Sequence, residues 1–189
     1  MQEQTRQKTV FSTGDIVVTG VYAAIIFLGT QVFRFSLGPA FVHFGNIFLM
    51  LAALLLGPKK GVAAAVIGYA AFDILNGYAS SLVKILPFSA VKALVPALLF
   101  PILKRKMKEP FAVGVSVAAG FATYPLLDII WRTAEGLFQN IDSAAAFYGA
   151  LGAQISPLVN MAVGILVVPI LYPIFKRAMQ LAHIPIYKE

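Results

Sequence analysis

Cysteine is absent from the 189-residue chain, and charged side chains are scarce. Without thiols the protein can form no disulfide, no thiolate metal site and no cysteine nucleophile. Asp, Glu, Lys and Arg make up only 12% of the residues, about half of the roughly 25% that is usual in soluble domains. Together with a mean hydropathy of +0.83, this scarcity indicates that lipid rather than water surrounds most of the chain.

Acidic residues are less frequent than basic ones. The chain has 15 Lys and Arg and 8 Asp and Glu, which gives a net charge of +7. A nucleic-acid interface would cluster its basic residues with aromatic residues or repeat them along one face. The sequence shows neither pattern, so no nucleic-acid partner is expected. We interpret the basic residues instead as signals of membrane topology.

The stretch from His43 to Tyr78 gives the clearest structural signal. Two apolar runs flank a Gly-Pro-Lys-Lys-Gly turn at residues 57–61. Each limb of about 18 residues would be ~27 Å long as a helix, close to the thickness of a bilayer core. We therefore predict a membrane hairpin with its turn in the cytoplasm.

The other apolar runs extend this hairpin to an all-α, integral membrane bundle of six transmembrane helices, a single domain over residues 1–189. Ser12 and Asp15 have the spacing of a capping box, which predicts a helix start near Thr13. A link through Gly38 and Pro39 joins the first two spans, and segment 132–154 is expected to contain a short helix. The predicted spans are 16–33, 41–56, 61–76, 80–103, 111–131 and 155–175.

Basic residues divide unequally between the two ends of such a bundle. Of the fifteen, eleven lie on the side of the termini, three (Arg34, Lys84 and Arg132) lie on the other, and Lys92 lies inside the fourth span. Because cytoplasmic loops are enriched in Lys and Arg, both termini are predicted to be cytoplasmic. The eleven are Arg6, Lys8, Lys59, Lys60, Lys104, Arg105, Lys106, Lys108, Lys176, Arg177 and Lys188.

Polar residues within the predicted spans gather at their outer ends, which predicts an outward-opening pocket above packed aliphatic side chains. Lys92 is the most telling, because about twelve residues, or ~18 Å, separate it from either end of its span. Ion pairing of Asp73, interfacial positions for Lys84, Tyr78 and Trp131, and a capping role for His43 are the structural alternatives. No metal site is expected. The candidate substrate-binding residues are His43, Asn46, Asp73, Tyr78, Lys84, Lys92, Asp128, Trp131 and Asn160.

Small residues spaced four apart in the first span, Thr19 with Ala23 and Gly20 with Ala24, form a groove that another helix can approach closely. The partner could be another protein or a helix of the same bundle.

Several chemistries find little support. Ser89 and Lys92 have the spacing of a Ser–Lys dyad, but a hydrolase also needs oxyanion donors. Asp73 and Asp128 lack the sequence context of an aspartyl membrane protease. No phosphate-binding Gly-rich loop is present, so energy for uphill import would come from another subunit. A membrane enzyme using Lys92 or these aspartates, and a purely structural subunit, remain alternatives.

Residues 42–46 (Val-His-Phe-Gly-Asn), the run 51–61, Asp73, Gly77-Tyr78 and residues 91–94 (Val-Lys-Ala-Leu) together resemble the substrate-binding (S) component of energy-coupling factor (ECF) vitamin importers. The similarity is strongest to the branch for riboflavin, hydroxymethylpyrimidine and vitamin B6 precursors. It implies a six-helix membrane protein, without catalytic activity or a cofactor, that binds a micronutrient at an outward-facing site.

The resemblance also implies partners: a transmembrane coupling (T) subunit, two cytoplasmic ATPases, and toppling within the bilayer to release the cargo. In this family an Ala-x-x-x-Ala spacing in the first helix contacts the coupling subunit, and Gly20 and Ala24 are the matching positions here. Lys92 carries over as a ligand residue. Pyridoxine-like or hydroxymethylpyrimidine-like cargo is the first expectation, and riboflavin is the alternative.

Overall fold

A computed structural model describes residues 11–37 and 40–187 as a helical bundle with one small two-stranded sheet. Five of its helices are long and apolar enough to cross a membrane, if a helix that bends is counted as one. The elements are α1 (Thr13–Gln31), β1 (Arg34–Leu37), β2 (Ala40–His43), α2 (Gly45–Leu75), a 3₁₀ turn (Ala79–Ser81), α3 (Leu82–Leu103), α4 (Glu109–Phe138), α5 (Ser143–Gly152) and α6 (Ile155–Leu181).

The predicted capping box begins α1. The Ser12 side chain accepts a hydrogen bond from the Asp15 backbone N–H at 3.2 Å, and the Asp15 carboxylate accepts one from the Ser12 backbone N–H at 3.0 Å. Two of the N–H groups that a helix start leaves unpaired are thereby satisfied. The helix start predicted near Thr13 is confirmed.

Gly57 divides α2 into two limbs, residues 45–56 and 58–75. Its φ of +77° lies in the left-handed region that favours glycine, and Pro58 follows it without a backbone N–H. The limbs fold back on each other, because the Tyr69 hydroxyl on the second donates to Asn46 Oδ1 on the first at 2.8 Å. The sequence-predicted hairpin is therefore present.

A segment that follows α6 closes the turn of this hairpin. The backbone N–H of Tyr187 donates to the Leu55 carbonyl at 2.9 Å, two residues before the interruption at Gly57. The Tyr187 ring lies so close to Gly57 that a Cβ at that position would overlap it. Residues 184 and 186, both Ile, pack against the core beside it.

Ion pairs tie the helices together at the same end as this turn, which we call the basic end. Lys60 Nζ lies 2.7 Å from Asp15 Oδ1, joining α2 to α1. Lys176 Nζ lies 2.9 Å from Glu109 Oε1, joining α6 to α4. The start of α1 and residues 182–187 therefore lie at one end of the bundle. The opposite end, which carries the β-hairpin, the 3₁₀ turn and α5, is the cavity end.

The core at the basic end is apolar and mostly aliphatic, with Tyr22, Phe100 and Tyr172 among its members. Residues 49–56 on the first limb of α2 are each no more than 1% exposed, and they pack against small or branched side chains of the neighbouring helices. Close packing of such side chains leaves few voids large enough for water. This end of the bundle is therefore sealed.

The bounds of several elements differ from those that the sequence predicts. The second span is expected from residue 41, but residues 40–43 form β2, and Phe41 and His43 face the cavity as alternate strand residues do. α4 continues seven residues beyond Trp131, and an Arg132–Asp128 ion pair at i,i+4 supports the extension. The short helix expected within 132–154 is α5. Gly38 and Pro39, and the basic residues Arg6, Lys8 and Lys188, lie outside the described residues.

We predict that Gly57→Ala destabilises the protein by about 2–4 kcal/mol, since it adds both left-handed backbone strain and overlap with the Tyr187 ring. Gly77→Ala is the matched control: Gly77 has a φ of +79°, but nothing lies within 4 Å of the point that an added Cβ would occupy. It should cost only the backbone term, about 1–2 kcal/mol. Equal shifts in unfolding experiments in detergent would show that Tyr187 does not stabilise the turn.

Candidate functional site

A cavity of about 570 Å³ opens at the cavity end of the bundle. Its volume is within the roughly 300–1,000 Å³ of pockets that hold drug-sized ligands. Side chains from α1, both strands, α2, α3, α4 and α6 line it. They are Thr30, Arg34, Phe41, His43, Asn46, Tyr69, Phe72, Asp73, Tyr78, Ser80, Ser81, Val83, Lys84, Ile85, Ser89, Lys92, Phe121, Tyr124, Trp131, Glu135, Ser156, Pro157 and Asn160.

Lys92 is the innermost lining residue of α3 and is only 5% exposed. Its ammonium group donates to Asn46 Oδ1 at 2.5 Å and lies 4.8 Å from the centroid of the Phe121 ring and 5.3 Å from that of Tyr124. Among the residues that the structure describes, it forms no salt bridge. One amide oxygen and two aromatic faces stabilise a buried cation incompletely, so an acceptor group on a ligand would be favoured beside it.

Two buried amides hold the inner wall together. Asn46 Oδ1 accepts from Lys92 and from the Tyr69 hydroxyl, while Asn46 Nδ2 donates to Asn160 Oδ1 at 2.9 Å and approaches His43 Nε2 at 3.3 Å. These four contacts use the full hydrogen-bonding capacity of the Asn46 side chain. Asn46 therefore orients Lys92 and Tyr69 and has no free group for a ligand.

Asn160 is equally occupied. Its Oδ1 accepts from the His43 backbone N–H at 3.1 Å and from Asn46, and its Nδ2 donates to the carbonyls of Phe41 and Ser156 at 2.9 and 3.0 Å. The Ser156 hydroxyl reaches the same Phe41 carbonyl at 2.8 Å. These bonds hold β2 against the start of α6. Asn160 therefore lines the cavity mainly as a residue that positions the β-hairpin.

Other polar groups of the cavity wall keep unused capacity. Asp73 Oδ2, His43 Nδ1 and Arg34 Nη1 are buried without a hydrogen-bond partner within the described chain. Asp73 lies one turn beyond Tyr69 on the second limb of α2, and is 6% exposed. The cavity wall thus combines a buried cation on α3 with a buried carboxylate on the second limb of α2.

Aromatic rings form much of the remaining wall. The Arg34 guanidinium carbon lies 5.2 Å from the centroids of both Phe41 and Phe72, and the Tyr78 ring stacks on Phe72 at 6.2 Å. Across the cavity, Trp131 meets the edge of Phe88 at 6.0 Å. Flat apolar faces with a few polar groups among them suit an aromatic heterocycle.

Asp128 lies behind the wall and not on the cavity surface. Its carboxylate is 1% exposed and pairs with Lys84 Nζ at 2.5 Å and Arg132 Nε at 2.7 Å, and it accepts from Gln154 Nε2 at 3.0 Å. The cluster connects α3, α4 and the start of α6. It holds the Lys84 side chain, which does line the cavity, against its wall.

The structure brings eight of the nine predicted site residues to this one cavity, with Asp128 the exception. Sequence reasoning missed Tyr69, Phe121 and Tyr124, which lie on apolar helix faces where an aromatic residue usually belongs to the core. Tyr69 carries one usable signal, because it precedes Asp73 by one helical turn and so shares its face. Arg34 is predicted only as a basic residue of a loop, not as part of the site.

The dyads considered for catalysis are not assembled. The Ser89 hydroxyl donates to the Leu86 carbonyl of its own helix at 3.0 Å, and Asp128 is engaged in ion pairs away from Asp73. No group of three or more His, Asp or Glu residues that could hold a metal ion occurs within 11–37 and 40–187.

The two small-residue pairs of α1 lie on different faces. Thr19 and Ala23 are buried, and a Cβ at Gly68 of α2 would come within 2.8 Å of the Ala23 carbonyl, so this pair serves packing inside the bundle. Gly20 and Ala24 are exposed. Around Gly20 there is open space within 4 Å.

Comparison with known proteins adds two findings. The family model for the S component of ECF-type riboflavin transporters matches residues 10–177. The solved structure of the S component for biotin from an ECF-type ABC transporter superposes with a TM-score of 0.58 at 18% identity, covering 83% of this chain and 89% of that one. At this identity the superposition shows a shared fold. No individually curated protein matches the sequence.

We predict that Asp128→Asn destabilises the protein by about 1–3 kcal/mol, because it leaves Lys84 and Arg132 without their counter-charge. Asp142→Asn is the matched control, since Asp142 is an exposed helix cap and Asn caps equally well. Unfolding in detergent compares the two variants. If Asp128→Asn behaves like Asp142→Asn, the buried cluster does not hold the cavity wall together.

Proposed function

We infer that this chain, which belongs to the family of ECF-type riboflavin transporter S components, captures a vitamin or vitamin precursor in the cavity and hands it to a coupling module. One observation carries this proposal: a buried ammonium group, without a carboxylate partner among the described residues, lies at the floor of an aromatic cavity. The protein is a transport component in this proposal and performs no chemistry on its cargo.

We place the chain in the cell membrane as a multi-pass protein. Counting the two limbs of α2 separately turns its five apolar helices into six crossings. The basic end carries the lysines of the Gly57 turn and of the turn between α3 and α4. By the positive-inside rule that end faces the cytoplasm, and the cavity opens outward.

Riboflavin is the cargo that we place first, ahead of the single-ring vitamins favoured by the sequence. The matching family model is that of riboflavin transporters, and a cavity of about 570 Å³ is generous for one six-membered ring. The carbonyl and nitrogen acceptors of a flavin ring would accept from Lys92, while the aromatic residues stack on its faces.

A pyridoxine-like or hydroxymethylpyrimidine-like cargo is the second candidate, and Asp73 favours it. A carboxylate buried without a partner can accept from a ring N–H or an amino group while Lys92 donates to a ring oxygen. Of the other predicted contacts, His43, Tyr78, Lys84 and Trp131 are retained as ligand residues. Asn46, Asn160 and Asp128 are assigned to support them.

The partners that we propose are a transmembrane coupling subunit and two cytoplasmic ATPases. The exposed face of α1 around Gly20 and Ala24 offers a flat, lipid-accessible surface on which a helix of the coupling subunit can pack closely.

We predict that the purified protein binds riboflavin, without any effect of nucleotide, more tightly than pyridoxine or hydroxymethylpyrimidine. Lys92→Met should weaken this binding by roughly ten- to a hundredfold, the value of a hydrogen bond to a charged group. Lys59→Met, at an exposed position of the basic end, is the matched control and should bind normally. Calorimetric titration measures all of these affinities. Preference for a single-ring vitamin would support the second cargo, and failure to bind any of the three would refute the proposal.

We also predict that Ala24→Leu keeps vitamin binding but abolishes energised uptake in cells that supply the coupling module, because a larger side chain prevents close helix approach. Gly20→Leu should behave in the same way. Ala162→Leu, on the exposed face of α6, adds the same side chain elsewhere and should leave uptake intact. Normal uptake by Ala24→Leu and Gly20→Leu would mean that the coupling subunit docks on another face.

A further inference from the structure

Phe121 forms the inner limit of the cavity on α4. It is the lining residue of that helix farthest from the cavity end, and its side chain is 1% exposed. The ammonium group of Lys92 lies 4.8 Å from the ring centroid. The position of this one ring therefore sets both the depth of the cavity and the surface against which Lys92 rests.

Gly164 of α6 is what allows the ring to lie there. It lines no part of the cavity, yet a Cβ at this position would meet three atoms of the Phe121 ring, all of them at 3.1 Å or less. Real Cβ atoms do not approach a ring so closely, so Gly164 leaves a space that the ring occupies. Its backbone supports the ring from the side of α6.

The ring has little room to retreat from a side chain at position 164. Phe121 belongs to the buried core together with fully buried residues such as Val117 and Val168. Protein interiors are packed as densely as organic crystals, so displaced atoms move toward whatever free volume exists. The free volume next to Phe121 is the cavity.

We propose that Gly164 is a positioning residue that determines ligand specificity. Because Gly164 lacks a side chain, the Phe121 ring stays toward the basic end and Lys92 keeps its position. Gly164 thereby fixes how deeply the ring of a ligand can enter the cavity. The part of this proposal that concerns ligands rests on the proposed function. Gly164 itself touches no ligand. Any larger residue there makes the cavity shallower and shifts the cation at its floor.

The test compares the wild-type protein with Gly164→Ala, Phe121→Leu, the double variant, and Gly114→Ala. Gly114 is the matched control, because it lies in α4 with nothing within 4 Å of an added Cβ. Each variant is titrated with riboflavin. Gly164→Ala should lose affinity roughly tenfold, the size of effect usual for overpacking. Gly114→Ala should bind like the wild type.

The double variant separates a steric effect on the ring from general damage to the fold. Leu is smaller than Phe at the contact, so Gly164→Ala should cost much less affinity in the Phe121→Leu background than it costs in the wild type. If Gly164→Ala alone fails to fold and the double variant folds, the clash with the ring is confirmed. Unchanged affinity in Gly164→Ala, an equal loss of affinity from Gly164→Ala in both backgrounds, or misfolding of both Gly164 variants would overturn the proposal.

A structure of Gly164→Ala without any vitamin provides a result that does not depend on the proposed function. The Phe121 ring should lie closer to the cavity mouth than in the wild type, and an unmoved ring would overturn the proposal. If the wild-type protein binds no vitamin, the proposed function fails, while this comparison still decides the role of Gly164.

Discussion

The site depends on one constraint: a lysine ammonium group is buried and has no carboxylate partner in the part of the chain that the structure describes. Burial of an uncompensated charge is costly in any protein and more so within a bilayer. The surrounding structure offsets this cost with one amide oxygen, that of Asn46, and two aromatic rings. The Asn46 side chain has no hydrogen-bonding capacity left for a ligand. Asn46 is in turn held by Asn160, which fastens the β-hairpin. The position of the cation, the shape of the wall and the placement of the hairpin are therefore parts of one hydrogen-bonded system.

The bundle separates a sealed end from an open one. Apolar and mostly aliphatic side chains pack around residues 49–56 of the first limb of α2, and the polar groups that line the cavity lie toward the opposite end. Ion pairs between helix termini hold the sealed end together. Rigid closure at one end and polar lining at the other suit a component that presents its ligand on one side only.

Much of this arrangement could be predicted from the sequence. Long apolar runs, the turn at 57–61 and the capping box at Ser12 each depend on local physics, and all three are present. The positions of polar residues along their spans predicted that nine of them would share a cavity, and eight of these nine line it. Their roles could not be predicted, because hydrogen-bond saturation of Asn46 and Asn160, or withdrawal of Asp128 behind the wall, depends on neighbours distant in sequence. The β-hairpin was missed since its strands are only four residues long.

The hydrogen bond from Tyr187 to Leu55 has a consequence for biosynthesis. Chains emerge from the ribosome and fold starting from their N-terminal part, so the hairpin of α2 is made more than a hundred residues before the group that completes its turn. Until residue 187 has been synthesised, this hydrogen bond to the Leu55 carbonyl cannot form. The turn of α2 is thus completed only when the segment at Tyr187, which is made much later, packs against it.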